Sequence, residues 1–200
     1  MKVFWLLLIL MAMAAACALV LTNVRGFSAR EKPTAVEQWI ARRVRAMATP
    51  ADARTRVNPI PRSPEILAEA RAHWADHCAA CHANNGSGDA EMGQHMYPPA
   101  PDMRQPGTQQ MTDGELFFVI QNGIRLTGMP AWGGGSAHDE QDSWKLVHFI
   151  RHLPQLTADE EKEMQELNPK SLDDLKEEQQ ERDFLNGDTP NEHAPHEHHH

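Results

Sequence analysis

The chain opens with an unbroken run of 19 apolar residues, at positions 3–21. A helix needs about 20 apolar residues to cross the hydrocarbon core of a bilayer, so this run predicts a transmembrane signal-anchor over residues 1–24. Two other interpretations stay open. One is a cleaved signal peptide, with Ala14-Ala15-Ala16 as its small-residue cleavage site, and the other is a lipid-modified Cys17. All three place the remainder of the chain outside the cytoplasm.

The positive charges beside this run favour the opposite orientation. Lys2 precedes the run, whereas Arg25, Arg30 and Lys32 follow it. Lysine and arginine usually accumulate on the cytoplasmic side of a membrane span. We still expect export, because the chemistry of the central region outweighs this bias.

Helical periodicity recurs in four further segments, at residues 33–47, 63–81, 112–122 and 139–152. Ser63 is a favourable N-cap before Pro64, and Thr112 and Glu115 have the spacing of a capping box. The apolar residues of the last segment, with Leu153 just after it, are predicted to face the core: Trp144, Val147, Ile150 and Leu153.

The first segment has an apolar side and is otherwise rich in arginine. It is therefore either a membrane-surface helix or a solvated linker helix, with these residues on its apolar side: Trp39, Ile40, Val44 and Met47. Prolines at 50, 59, 61 and 64 predict a stiff linker, which makes residues 25–62 a basic stub and proline-rich linker.

Charge divides the chain into three blocks. Residues 1–56 carry a net charge of +6, residues 57–156 carry −5 and residues 157–200 carry −10. The acidic middle and end exclude a nucleic-acid binder, which would need a positive surface for the phosphate backbone. Residues 157–200 therefore predict a polar, solvated tail, with helices starting at Thr157 and Ser171 and a histidine-rich end.

The pentapeptide Cys78-Ala79-Ala80-Cys81-His82 carries the most specific chemistry. Cys-x-x-Cys-His is the attachment motif of a c-type haem, in which two thiols add to the porphyrin vinyl groups and the histidine binds iron. On the end of a helix, this spacing places both sulfurs on one side. Three alternatives stay open for the cysteine pair: a redox-active dithiol without its βαβ context, a zinc site without a second ligand pair, and a structural disulfide that leaves His82 unexplained.

A second segment supplies a candidate for the sixth iron ligand. Residues 122–132 form a glycine-punctuated loop that presents Met129 about fifty residues after His82. The rival methionines lack this glycine-flanked setting and have the character of core fillers: Met92, Met96, Met103 and Met111. His95 is the rival imidazole.

The chain from about Ser63 to Leu153 resembles class I cytochrome c, on the strength of Cys78-x-x-Cys81-His82 and the Gly128-Met129-Pro130 loop, and we place the domain at residues 63–156. The resemblance implies an all-α fold around one covalently bound haem c with its iron. It assigns thioether attachment to Cys78 and Cys81, and it assigns the proximal and distal iron ligands to His82 and Met129. It also implies that a backbone carbonyl of Pro98 or Pro99 orients the His82 ring, and that the last helix crosses the haem-bearing helix. Trp132 packs either on the haem or in the loop core, and Arg125 either neutralises a propionate or is solvated.

These features predict a membrane-anchored electron carrier on the periplasmic side, rather than an enzyme. Two axial ligands saturate the iron, so no small-molecule substrate enters there, and the expected partners are a membrane-associated redox donor and acceptor. Two alternatives remain. The chain is a haem c subunit of a larger membrane redox complex, or it is a metal-binding or sensing protein that uses the histidines of residues 193–200.

Overall fold

The computed structural model describes residues 2–25, 28, 31–170 and 172–186, and within these ranges it contains helices and no β-strand. The all-α prediction is confirmed. The α-helices are α1 (Lys2–Arg25), α2 (Ala35–Ala48), α3 (Ala51–Thr55), α4 (Pro64–His73), α5 (Ala79–His82), α6 (Glu91–Gln94), α7 (Pro106–Gln109), α8 (Asp113–Asn122), α9 (Ala137–His152), α10 (Ala158–Leu167) and α11 (Leu172–Asn186). A π-helical turn (Trp74–Cys78) joins α4 to α5, and a 3₁₀ turn (Leu153–Gln155) follows α9. The predicted helix start at Ser171 and the histidine-rich end lie outside the described residues.

Side-chain caps decide where the helices begin. Ser63, Thr112 and Thr157 each accept a hydrogen bond from the first turn of the helix that follows, as predicted. The structure adds two capping boxes. Thr34 caps α2, so the helix begins at Ala35 rather than at Pro33, and Ser136 caps α9, so that helix begins two residues before the predicted start.

The core lies between α4, α8 and α9. The four residues predicted to face inward at this end of the domain are all buried, three in α9 and Leu153 in the turn that follows: Trp144, Val147, Ile150 and Leu153. The Trp144 ring stacks on Phe117 of α8 with ring centroids 4.1 Å apart, and the Trp74 ring lies 5.3 Å from that of Phe149. Trp74 is therefore a core residue, and it ties the cysteine-bearing segment to α9.

The predicted proline-rich linker is partly wrong, because α3 and the residues after it pack on the domain. A Cβ on Gly114 of α8 would lie 1.9 Å from the carbonyl oxygen of Ala53, so only glycine allows α3 to approach α8 this closely. Farther along, the Asn58 side-chain amide donates to the Trp144 carbonyl at 2.9 Å. Residues 51–58 thus pack on the helical domain rather than form a free linker to it.

The predicted solvated tail is also wrong for α10, which docks on the domain. Met164 is fully buried with the main core cluster, although α10 is otherwise polar apart from Ala158 and the exposed Leu167. Glu160 receives hydrogen bonds from Arg71 of α4, at 3.0 Å, and lies 3.0 Å from Nε2 of His152. One buried apolar residue and a partly buried polar cluster therefore hold a helix whose pattern predicts no apolar face.

The cluster also changes the acidity of Glu160. Burial alone would raise the pKa of this carboxyl group, but hydrogen bonds from the Thr157 backbone, the His152 ring and the Thr157 hydroxyl lower it to about 2. Glu160 is therefore ionised over the physiological pH range, and the contact with Arg71 is an ion pair.

We expect Met164→Ala to destabilise the packing of α10. Loss of a fully buried methionine costs about 2–5 kcal/mol of unfolding free energy. Chemical denaturation and hydrogen exchange of α10 measure the effect. Gln165→Ala, an exposed change in the same helix, is the matched control and should stay within about 0.5 kcal/mol of wild type. Equal stability of the two variants would contradict the docked position of α10.

Candidate functional site

Cys78, Cys81 and His82 lie where α4 passes through the π-helical turn into α5. The Ala79 amide donates to the Trp74 carbonyl five residues earlier, and this bond defines the π-helical turn. The apolar spacing of residues 63–81 predicts one continuous α-helix, and no local signal predicts the extra residue of the turn. Such turns are rare and often mark functional sites. This one ends at Cys78.

The two cysteines have different surroundings. Both are free thiols, and Cys78 packs against the core while Cys81 is less covered. Burial, together with the nearby Cys81, raises the pKa of the Cys78 thiol to about 12, and burial also raises the pKa of Cys81. A redox-active dithiol needs at least one lowered thiol pKa. The environment therefore counts against that alternative.

His82 carries an unused polar atom. Its Nδ1 is buried and has no hydrogen-bond partner, and burial lowers the pKa of the ring, which favours the neutral imidazole. The predicted hydrogen bond to a carbonyl of Pro98 or Pro99 is not formed. Leaving a buried nitrogen unsatisfied costs about 1–3 kcal/mol, so the site has a bonding capacity that the polypeptide alone does not use. A neutral imidazole is also the form that binds a metal.

The segment after His82 folds back on the cysteine turn. The Gly88 amide donates to the His82 carbonyl at 2.9 Å. A Cβ on Gly93 of α6 would lie 1.9 Å from the Cys81 carbonyl oxygen, so this glycine permits direct backbone contact between α6 and α5. Sequence reasoning missed Gly93. Its isolated position within a short polar helix was the available signal.

The loop that carries Met129 is held at both ends by α8. Gly123 ends the helix with a φ of +65°. The Ile124 amide donates to the Met129 carbonyl at 3.1 Å, and the Trp132 amide donates to the Ile120 carbonyl at 3.0 Å. These bonds close the loop around Met129, as expected for a segment that presents one side chain.

An aromatic contact joins this loop to the cysteine turn. The Trp132 ring meets the His77 ring edge-on, with centroids 5.7 Å apart, and His77 directly precedes Cys78. Trp132 is partly exposed and Arg125 is exposed. The structure thus places the loop that holds Met129 beside the turn that holds the cysteines.

The other methionines that could bind the iron lie in different surroundings. Met103 and Met111 pack against the core and Met92 is exposed. Met96 differs, because a Cβ on Gly128 would lie 2.2 Å from its Sδ atom. A second thioether therefore lies against the loop of Met129. His95 is exposed.

Residues 65–150 match the family model described as cytochrome C oxidase, cbb3-type, subunit III. The match contains the cysteine turn, His82 and the loop of Met129. This part of the chain is a class I c-type cytochrome domain. No curated protein matches the chain.

The cytochrome domain has covalently bound haem c with iron and serves electron transfer. The residues present fit that group. Two unbonded thiols lie three positions apart on one turn, and the next residue is His82, whose ring pKa is lowered by burial and whose buried Nδ1 has no hydrogen-bond partner. Near the N-terminus, the part of α1 from Lys2 to Val20 is long and apolar enough to cross a membrane.

Proposed function

We propose that the chain is a membrane-anchored, one-electron relay whose haem domain lies outside the cytoplasm. Cys78 and Cys81 form the two thioether bonds, His82 is the proximal iron ligand and Met129 is the distal ligand. The observation that carries the proposal is the placement of two unbonded thiols three positions apart on one turn, directly before His82 and beside the loop of Met129.

The bound haem supplies reversible one-electron chemistry at its iron. The residues around it hold the proposed ligands in place. The turn of α5 and the backbone contact at Gly93 hold the His82 segment, and the closed loop after α8 holds Met129. If His82 and Met129 both held the iron, no open position would remain there for a substrate, which favours a carrier over a catalyst.

The proposed anchor and haem domain divide the chain into four parts. We place the anchor at residues 1–24 and the haem domain at 63–156. The stub begins at residue 25, but its packed part, residues 51–58, belongs with the haem domain, and the acidic tail begins at residue 157 with α10 docked on that domain. The packed residues 51–58 and the docked helix α10 act as extensions that cover the haem domain at either end.

Membrane anchoring rests on α1. Large apolar side chains project from the helix along its length without protein contacts that bury them, as in Phe4, Trp5 and Met11. A bilayer would cover this surface. The partners of the relay are then a redox donor and an acceptor at the same membrane.

Orientation is tested with two C-terminal fusions in a host that attaches haem c. We expect alkaline phosphatase fused to residue 200 to be active and a fluorescent protein that folds only in the cytoplasm to be dark. The reverse pattern would refute the extracytoplasmic location. It would instead follow the positive charge of Arg25, Arg30 and Lys32.

A second candidate function is that of a haem c subunit in a cbb3-type oxidase, and the description of the matching family model favours it. Mild detergent extraction of the chain from its native membrane separates the two. If the chain migrates together with other oxidase subunits, and oxidase activity is lost when the chain is removed, the chain is an oxidase subunit. Migration as a lone chain would support the independent relay.

A further inference from the structure

Helix α2 contacts the cytochrome domain through its polar side. The Tyr97 hydroxyl donates to Oε1 of Glu37 at 3.0 Å, and Nη1 of Arg45 lies 3.5 Å from Sδ of Met111. No residue of α2 is buried. The helix therefore lies beside the domain without using apolar packing.

The apolar side of α2 is left uncovered. Its five large apolar residues keep between 47% and 83% of their surface exposed: Val36, Trp39, Ile40, Val44 and Met47. Val36, Ile40, Val44 and Met47 recur at steps of four, four and three, so they form one stripe along the helix. Because Glu37 and Arg45 make the contacts with the domain and the apolar residues of α2 stay exposed, the domain does not cover this stripe.

Positive charge borders the stripe. Arg42 and Arg43 are exposed, and the Arg43 guanidinium lies 5.6 Å from the centroid of the Trp39 ring. Glu37, the acidic residue of α2, is engaged by the Thr34 amide and by Tyr97. An apolar stripe bordered by arginine and tryptophan matches a bilayer surface that contains anionic lipid.

The chain also limits how far α2 lies from a membrane. Nine residues separate the end of α1 at Arg25 from the start of α2 at Ala35. Even fully extended, such a connection spans only about 30–35 Å. If α1 crosses the bilayer, α2 stays within reach of the headgroups.

We propose that α2 lies in the headgroup layer of an anionic phospholipid membrane, with the stripe of Val36, Ile40, Val44 and Met47 inserted. This inference rests on the proposed anchoring by α1. Through Glu37–Tyr97 and Arg45–Met111, the inserted helix sets which side of the cytochrome domain faces the membrane. The haem domain then meets its partners in a restricted orientation rather than on a free tether.

The test uses the full-length holoprotein in nanodiscs, with a nitroxide label on Met47→Cys in a Cys17→Ser background. Discs of phosphatidylcholine alone are compared with discs that also contain phosphatidylglycerol. A label on Glu166→Cys, exposed on α10, is the reference for a water-accessible site. The collision rates of each label with oxygen and with a water-soluble nickel chelate report its depth in the bilayer.

With anionic lipid, we expect the label at position 47 to be reached by oxygen and shielded from nickel, while the label at position 166 is reached by nickel. Arg42→Glu with Arg43→Glu should weaken insertion at least about tenfold. Lys162→Glu with Arg182→Glu makes the same change in net charge on the tail and should leave insertion unchanged. Retention of the haem spectrum shows that each variant is folded.

Three outcomes would overturn the inference. A label at position 47 that nickel reaches as readily as at position 166 shows that α2 is in water. Shielding from both oxygen and nickel, independent of lipid, shows that a protein surface covers the stripe. Failure of the chain to enter the discs refutes anchoring and the inference together, whereas entry with an accessible position 47 refutes the inference alone.

Discussion

Replacing both Cys78 and Cys81 with alanine is expected to abolish covalent haem attachment completely. Each proposed thioether uses one of these sulfurs, so the double variant has no bond between chain and porphyrin. Intact-mass measurement after denaturation would then show only the unmodified polypeptide. Each single variant retains one thioether, and the absorbance of its haem in pyridine should shift as one vinyl group is restored.

Cys17→Ser is the matched control, because Cys17 lies in α1, away from the haem domain. It should keep the full haem mass when the protein is made in a host that attaches haem c. Loss of haem in Cys17→Ser, or a haem-modified Cys78→Ala/Cys81→Ala chain, would contradict the assignment. A wild-type chain without added mass would refute the attachment claim itself.

Local patterns predicted the parts of this fold that local chemistry controls. The capping residues Ser63, Thr112 and Thr157 mark helix starts because a side-chain oxygen satisfies an amide of the first turn whatever the rest of the chain does. The inward side of α9 follows from helical periodicity alone. The proposed attachment residues Cys78, Cys81 and His82 are equally local, since they lie within a single pentapeptide.

Long-range contacts produced the parts that the sequence did not predict. The approach of α3 to α8 depends on the missing side chain of Gly114, whose role appears only when Ala53 lies against it. The docking of α10 depends on Met164 and on Glu160 meeting Arg71 and His152. In the sequence, Glu160 and Met164 belong to a strongly acidic segment. Such a composition predicts a solvated helix, and it does not show that these two residues find partners on the domain.

The position of Met96 is a third example, and it bears on the iron. The sequence ranks Met129 above the other methionines because of its glycine-flanked loop. The structure places the Met96 thioether against Gly128 of that same loop. Two thioethers therefore lie close to the proposed distal side, and a substitution experiment has to separate them.

Met129→Ala is expected to open the sixth coordination position. Removal of the proposed distal thioether leaves a side chain too short to reach the iron, so the reduced protein should bind carbon monoxide. Its reduction potential should also fall, because a thioether ligand raises the potential and axial ligands tune it over roughly 0.8 V. Optical spectra during a potential titration measure both effects.

Met96→Ala is the matched control, and the double variant decides between the two thioethers. If Met129 is the ligand, Met96→Ala keeps the parent spectrum and excludes carbon monoxide. If Met129→Ala remains six-coordinate but Met129→Ala/Met96→Ala does not, Met96 replaces the missing ligand in the single variant. If Met96→Ala alone opens the iron, the distal assignment belongs to Met96, and the closed loop after α8 serves to pack that thioether rather than to supply its own.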